Sequence, residues 1–348
     1  MHIDEFDFHL PEELIASYPA EKRDASRMML LNRDTGESSP SLFTEFASYL
    51  SAGDTLVLNN TKVIPARIFG TKENGGAKIE ALLMEPQGDI SGGATLWQAM
   101  CKPAKRLKEG YRVLIDNSDQ YFTVKEKLED GTILIEFSTT EVLDLLDQCG
   151  HIPLPPYMQR DCTEDDKIRY QTVFAEEAGA IAAPTAGLHM TDEILAELKD
   201  KGVNIAYVTL HVGPGTFLPV SVDNITEHKM HFEAFEMPEE TAETLKATKA
   251  NGKKIFAIGT TSIRVLESCY DEQEFVIAQK NRTDIFLYPP FKARVADCLL
   301  TNFHLPKSTL IMLVSTFCDR HKVMEAYKKA VEEKFRFYSY GDCMLLHK

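Results

Sequence analysis

No C-x-x-C pair occurs in the chain. Its seven cysteines, Cys101, Cys149, Cys162, Cys269, Cys298, Cys318 and Cys343, stand singly and are odd in number. That argues against a disulfide framework or a zinc–thiolate site and fits a reducing cytosol. No apolar run approaches the roughly 18 residues a membrane helix needs. The start, "MHIDEFDFHL", is acidic and mixed, where a signal peptide opens basic and then apolar. A cytoplasmic location is therefore expected. There is no G-x-G-x-x-G loop and no P-loop lysine, so the dinucleotide and nucleoside-triphosphate fingerprints are missing. No G-x-S-x-G elbow signals a serine hydrolase. His228 and His231 have H-x-x-H spacing, but ligands at i and i+3 need a helix and H-E-x-x-H is absent, so no metal is expected. Low-complexity tracts and fixed-period repeats are also lacking.

What is present is a globular composition. The 348 residues are 44% hydrophobic and 26% charged. At roughly 150 residues per domain, that suggests two domains or one large one. The net charge of -15 argues mildly against nucleic acid as a partner. One segment runs the other way. "KPAKRLK" carries Lys102, Lys105, Arg106 and Lys108 within seven residues. It is either a solvated loop or a phosphate-binding patch on an acidic protein.

The texture of the chain changes twice. "DTLVLNNTKV" reads as a buried strand, Leu56 to Leu58, ending in a turn. Residues 67–150 hold short alternating segments rich in branched and aromatic residues. Asp130-Gly131, set between two such segments, is a hairpin signal. An all-β unit, a small barrel, is expected there, inserted into a discontinuous domain of residues 1–66 and 151–348. Pro153, Pro155 and Pro156 should then run extended. Beyond them helices and strands alternate. Thr191 should cap a helix that stops before Gly202, and a second helix should start after Pro238 and stop before Gly252. Val323, Tyr327, Ala330 and Val331 form one face of an amphipathic helix. The terminal "CMLL" should add a last strand. The expected class is α/β, with a mixed-sheet domain interrupted by the barrel.

In open α/β sheets ligands sit beyond the carboxyl ends of strands. Three ends are unusual here. "APTAGLHM" places Thr185, Gly187 and His189 just before a helix. "YVTLHVGPGTFLPV" stops a strand at Gly213-Pro214-Gly215, with His211 before the stop and Thr216-Phe217 after it. "AIGTTSIR" turns at Gly259 and offers Thr260, Thr261 and Ser262 at a helix start, with Arg264 in the same turn. Such a helix start attracts a carboxylate or a phosphate. "LLTNFHLPK" adds Asn302 and His304 between apolar runs. The residues alone describe an α/β enzyme whose ligand is polar and carries a carboxylate.

These stretches resemble one family, the S-adenosylmethionine:tRNA ribosyltransferase-isomerases of queuosine biosynthesis. The resemblance runs from "DFHLPEELIA" through "GDTLVLNNTKVIPARIFG", "KPAKRLKEG", "PLPPYMQR", "GAIAAPTAGLHMT", "TLHVGPGTFLPV", "GTTSIRVLES" and "LLTNFHLPKSTLIMLVSTF" to "YSYGDCMLL". Pro290 departs from the glycine more usual in the family, and Ala293 from an aromatic. The resemblance implies an α/β domain interrupted by a β-barrel. It also implies transfer and isomerisation of the ribosyl group of S-adenosylmethionine onto 7-aminomethyl-7-deazaguanine at the wobble position of tRNA. Epoxyqueuosine, adenine and methionine would be the products. S-adenosylmethionine would be a co-substrate, with no other cofactor and no metal, and the protein a monomer.

On that resemblance, proton transfers would fall to His211 and His189, with His304 third, because histidine titrates near neutrality. Gly259 to Ser262 would take the methionine carboxylate. Thr185, Gly213 and Gly215 would let ligand approach the backbone. Thr216 would offer a hydrogen bond and Phe217 a stacking face. Lys102, Lys105, Arg106 and Lys108 would hold anticodon-arm phosphates. The alternatives are a histidine-based metallohydrolase, a tRNA-binding module without catalysis, and a small-molecule transferase without an RNA partner.

Overall fold

The computed structural model describes residues 1–88, 90, 92–213, 215 and 220–348. Thr216 and Phe217, both expected at the site, lie outside the described residues. Nine strands form one sheet in the spatial order Gln279–Thr283, Glu233–Met237, Asn204–Leu210, Thr55–Asn59, Ile255–Ile258, Cys298–Asn302, Cys343–His347, Arg27–Asn32 and Ser38–Leu42. The four at its centre are parallel, from Asn204–Leu210 to Cys298–Asn302. The C-terminal strand runs antiparallel to Cys298–Asn302 and parallel to Arg27–Asn32. A mixed sheet results, as expected. Its central strands are near-continuous apolar runs because both faces are covered: Leu56, Val57, Leu58, Ile255, Ala257, Leu299 and Leu300 are all fully buried.

The helices stop and start where their caps dictate. Thr191 Oγ1 accepts the Ile194 N–H at 3.3 Å and opens the helix Asp192–Asp200, which buries Ile194, Leu195 and Leu198. Pro238 opens Glu239–Ala250, and Gly252 follows it in the left-handed region. Helix Arg320–Glu332 buries Val323, Tyr327 and Ala330 along one face. The proline-rich segment departs from expectation in one detail. A single 3-10 turn, Pro156–Met158, interrupts its extended path. A proline in the first turn gives up an N–H that would have no intrahelical partner anyway.

Between two strands of the sheet, the chain leaves to build a closed six-stranded antiparallel barrel from Arg67–Lys72, Lys78–Pro86, Leu96–Lys102, Arg112–Ile115, Tyr121–Lys127 and Ile133–Phe137. Strict alternation fills its interior: Ile79, Ala81 and Leu83 on one strand, Trp97, Ala99 and Cys101 on the next, Ile133, Ile135 and Phe137 on the last. The Trp97 indole N–H donates to Ala94 O at 2.9 Å, so the largest ring inside leaves no orphan donor. Helix Val142–Cys149 packs Val142, Leu145, Leu146 and Cys149 onto the same core.

Gly150 closes that helix where the chain returns to the sheet. A Cβ there would lie 2.1 Å from Pro65 O and 2.5 Å from Leu146 O, both backbone atoms that cannot swing aside. Gly150→Ala should lower stability by about 1–3 kcal/mol through this overpacking. A urea unfolding midpoint unchanged from the parent would contradict it.

Candidate active site

Because the four central strands are parallel, their carboxyl ends open along one edge. Asn59, Leu210, Ile258 and Asn302 stand there, and the residues that follow each of them build the site. Asn59 ties two ends together: its Nδ2 donates to Leu210 O and its Oδ1 accepts from Leu210 N, both at 3.0 Å. Thr61, two residues on, shares a 2.8 Å hydrogen bond with His211 Nδ1. Gly179 presses its backbone against that ring, where a Cβ would come within 2.9 Å of Nδ1. The ring is fixed by one hydroxyl and one glycine.

Three cavities adjoin along this edge. A narrow central pocket of about 60 Å³ is lined by Thr185, Gly259, Thr260, Thr261, Arg264, Asn302 and His304. A second, of about 330 Å³, shares Arg264 and Leu310 with it and has a mixed lining, apolar at Ile285, Phe286 and Leu313 and polar at Glu227, His228 and His231. A third, a cleft of about 540 Å³ between barrel and sheet, shares His231 and Glu233 with the second and holds His211 and Gly213. Gly215 lines the second cavity against the His231 ring.

The central pocket is marked by orphaned polar atoms. Thr261 Oγ1, and Nε and Nη2 of Arg264, are buried with no hydrogen-bond partner among the described residues. Buried polar groups are nearly always paired, so a cluster of three at one cavity points to a polar ligand. Asn302 Nδ2 is meanwhile held by Tyr338 O at 2.8 Å, which aims the other side of the amide. Arg264 is positioned by Glu233: Nη1 pairs with Oε2, while Oε1 accepts the Gly213 N–H at 2.8 Å. Gly259 adopts φ +84°, so only glycine turns the strand into the helix Gly259–Ser268 without strain.

Not every expected residue reaches the cavities. Ser262 spends its hydroxyl on Ile258 O at 2.7 Å inside the helix. Gly187 packs against Thr172 and Phe174. His189 lies in a separate crevice with Arg23 and Ser339, its ring 5.3 Å from that of Phe43. The three histidines are therefore distributed: His304 in the central pocket, His211 in the cleft, His189 in neither. Lys102, Lys105, Arg106 and Lys108 are all exposed on the barrel, outside the cavities. Buried Leu107 anchors their loop, and Lys127 Nζ donates to Ala104 O beside them at 2.8 Å. Pro290 lines another groove, with Arg33 and Phe317. Glu233, Phe232 and Arg282 were not expected at the site. Glu233 and Phe232 had as their only signal an acid and an aromatic beside His231 in "HKMHFE", and Arg282 had none. Among the described residues no group of side chains has the arrangement of a metal site.

The family model described as a queuosine biosynthesis protein matches residues 3–346. The chain belongs to that family. Curated relatives named S-adenosylmethionine:tRNA ribosyltransferase-isomerase, from Sulfurihydrogenibium sp. and Staphylococcus epidermidis, are each 48% identical over 99% of this chain and all of their own. The crystal structure of S-adenosylmethionine tRNA ribosyltransferase from Thermotoga maritima is 37% identical, with a TM-score of 0.55 over 98% of this chain and 99% of that one.

In this queuosine biosynthesis protein burial keeps all three histidines neutral. It lowers His304 to about 3 and His189 to about 4; His211 falls to about 4 by burial and the nearby Lys280 charge. Unfolded, each titrates near 6.5. The unfolded chain therefore binds more protons below that pH, and stability falls as pH drops from about 6.5 towards 4. Urea unfolding across that window should show the decline, and the imidazole resonances of His189 and His304 should stay at their neutral positions down to about pH 5. A flat profile, or a resonance titrating near 6.5, would contradict it.

Proposed function

We propose that this S-adenosylmethionine:tRNA ribosyltransferase-isomerase holds the amino-acid end of S-adenosylmethionine in the central pocket. The observation that carries the proposal is the unpaired, buried edge of Arg264. A guanidinium with Nε and one Nη unpaired presents two parallel donors, the geometry that takes a carboxylate bidentately. Thr261 Oγ1 lies on the same wall as a further donor, and Asn302 lines the same pocket. The pocket has room for only a few atoms, since one water needs about 10–15 Å³ of such volume. The adenosine therefore extends into the larger cavity beyond Leu310, where Phe286 and Leu313 offer apolar contact. The sulfonium and ribose then lie towards the cleft.

His211 is the proton acceptor in this reading. Its Nδ1 is engaged by Thr61, and a neutral ring can take a proton at the other nitrogen. The carbon beside the sulfonium gives up its proton to it, and the ribose ring opens as adenine departs. The aminomethyl nitrogen of the tRNA's modified base then adds to the unsaturated sulfonium, the carbon beside the sulfur bonds to the aldehyde carbon that adenine has left, and the alkoxide formed there closes the epoxide with methionine as leaving group. His304, neutral and hydrogen-bonded to Thr301 Oγ1 at 2.9 Å, serves as a hydrogen-bonding wall of the pocket. His189 supports the fold behind it. Residues Lys102, Lys105, Arg106 and Lys108 take the phosphates of the anticodon arm.

Adenine should be released only when S-adenosylmethionine and tRNA bearing the aminomethyl-deazaguanine base are both present. In the same assay Arg264→Lys, which keeps the charge and loses the fork, should weaken S-adenosylmethionine binding about 10- to 100-fold, the worth of one or two charge-assisted hydrogen bonds. Decarboxylated S-adenosylmethionine should bind the parent and this variant alike. Retained affinity in the variant would remove Arg264 from the site.

Replacing Lys102, Lys105 and Arg106 by alanine should weaken tRNA binding at low salt. The slope of log K against log salt should become shallower by roughly 0.7–0.9 per lost phosphate contact. An unchanged slope would mean that the loop is merely solvated.

A further inference from the structure

The cleft between barrel and sheet has a chemistry of its own, apart from the Arg264 pocket. One wall is Phe232, at the mouth of the strand Glu233–Met237. The residue is 57% exposed, although the next one, Glu233, is buried. Arg282, from the edge strand beside it, lies over that ring at 5.6 Å and pairs through Nη2 with Glu85 Oε2 of the barrel at 2.9 Å. Burial shifts the Glu85 carboxyl upward, because half of it is taken out of water. On the barrel side Gln98 Nε2 donates to Asp130 Oδ2 at 3.2 Å. The cleft thus joins an aromatic face to a carboxylate, a guanidinium and an amide, drawn from both units of the fold.

We propose that this cleft is the pocket for the everted wobble base, with Phe232 as its stacking face and Glu85, held by Arg282, as the group that reads its edge. A guanine-type edge presents two N–H donors side by side next to a carbonyl. A carboxylate accepts from the donors, and a guanidinium gives to the carbonyl. Stacking on an exposed aromatic is how proteins hold an unstacked base. The cleft also contains His211, so a base seated there brings its aminomethyl arm to the proton acceptor. The barrel supplies a path outward. Gln98, Met100 and Lys102 alternate on the outer face of one strand, with Met100 exposed. Four residues of strand span about 13 Å, so the basic loop that starts at Lys102 lies a nucleotide or two from the cleft. The inference rests on the activity proposed above and adds where the base goes.

The test is steady-state adenine release with tRNA carrying the modified base, together with direct S-adenosylmethionine binding. Phe232→Ala should raise KM for that tRNA about 5- to 150-fold, the range for one base–aromatic stack. S-adenosylmethionine affinity should be unchanged, and Phe232→Tyr should restore KM. Glu85→Gln should raise the same KM and leave S-adenosylmethionine binding intact. If Phe232→Ala leaves KM for the tRNA at the parent value, or weakens S-adenosylmethionine equally, the cleft is not the base pocket. Absence of adenine from the parent enzyme would instead remove the activity itself, so the two failures can be told apart.

Discussion

The site is organised around one buried ion pair, Arg264 with Glu233. Taking both charges out of water costs several kcal/mol per ion unless geometry and extra hydrogen bonds offset it. Glu233 is well provided for, with Arg264 on one oxygen and the Gly213 N–H on the other. Arg264 is not: two of its nitrogens are left without partners among the described residues. The imbalance has a direction. The carboxylate orients the guanidinium and partly neutralises it, and Arg264 lines both the central pocket and the second cavity. In the binding mode proposed above, a second carboxylate arriving with a ligand would complete the set at little reorganisation cost, which is the basis of preorganised binding.

The same pair joins the cavities. Arg264 belongs to the central pocket and the second cavity, and Glu233 to the second cavity and the cleft. Gly213, held by Glu233, lies two residues beyond His211 at the end of the strand Asn204–Leu210. Displacing Glu233 would therefore disturb Arg264 and the segment beside His211 together. The parallel sheet makes this possible. Only parallel strands deliver four chain ends to one edge, so residues from four distant sequence segments meet without any long loop having to reach.

Much of the fold was legible because its signals are local. Thr191, Pro238, Gly252 and the Asp130-Gly131 hairpin each act within a few residues, through a cap, a fixed φ or a turn. The strand ends were legible for the same reason: Gly259 must turn with positive φ, and Thr260, Thr261, Arg264, Asn302 and His304 follow such ends into one pocket. What could not be read was pairing between segments. Glu233 and Arg264 meet through the crossing of an outer strand and a helix, and Glu85 and Arg282 through the docking of barrel on sheet. No spacing in the chain encodes either contact. The histidines illustrate the limit. His189, His211 and His304 all stand near strand ends, yet a short 3-10 segment turns His189 away behind Phe43, because its path is set by tertiary packing.

Charge presents the last constraint. A chain of net charge -15 should repel a polyanion, but salt at physiological strength screens exposed charges beyond about 8 Å. Only the local field then matters at contact, and the fold separates the two requirements in space. The basic loop is carried on the outer face of the barrel, with Lys127 beside it, while the acidic excess is distributed over the rest of the surface. The carboxylates nearest the cleft are not loose charges. Glu85 is bound to Arg282 and Asp130 to Gln98 and Thr132, so each is already a directed acceptor rather than a source of diffuse repulsion. On the roles proposed above, an insert whose basic loop meets backbone phosphates and whose inner edge receives a base would let an acidic α/β enzyme work on RNA without becoming a basic protein.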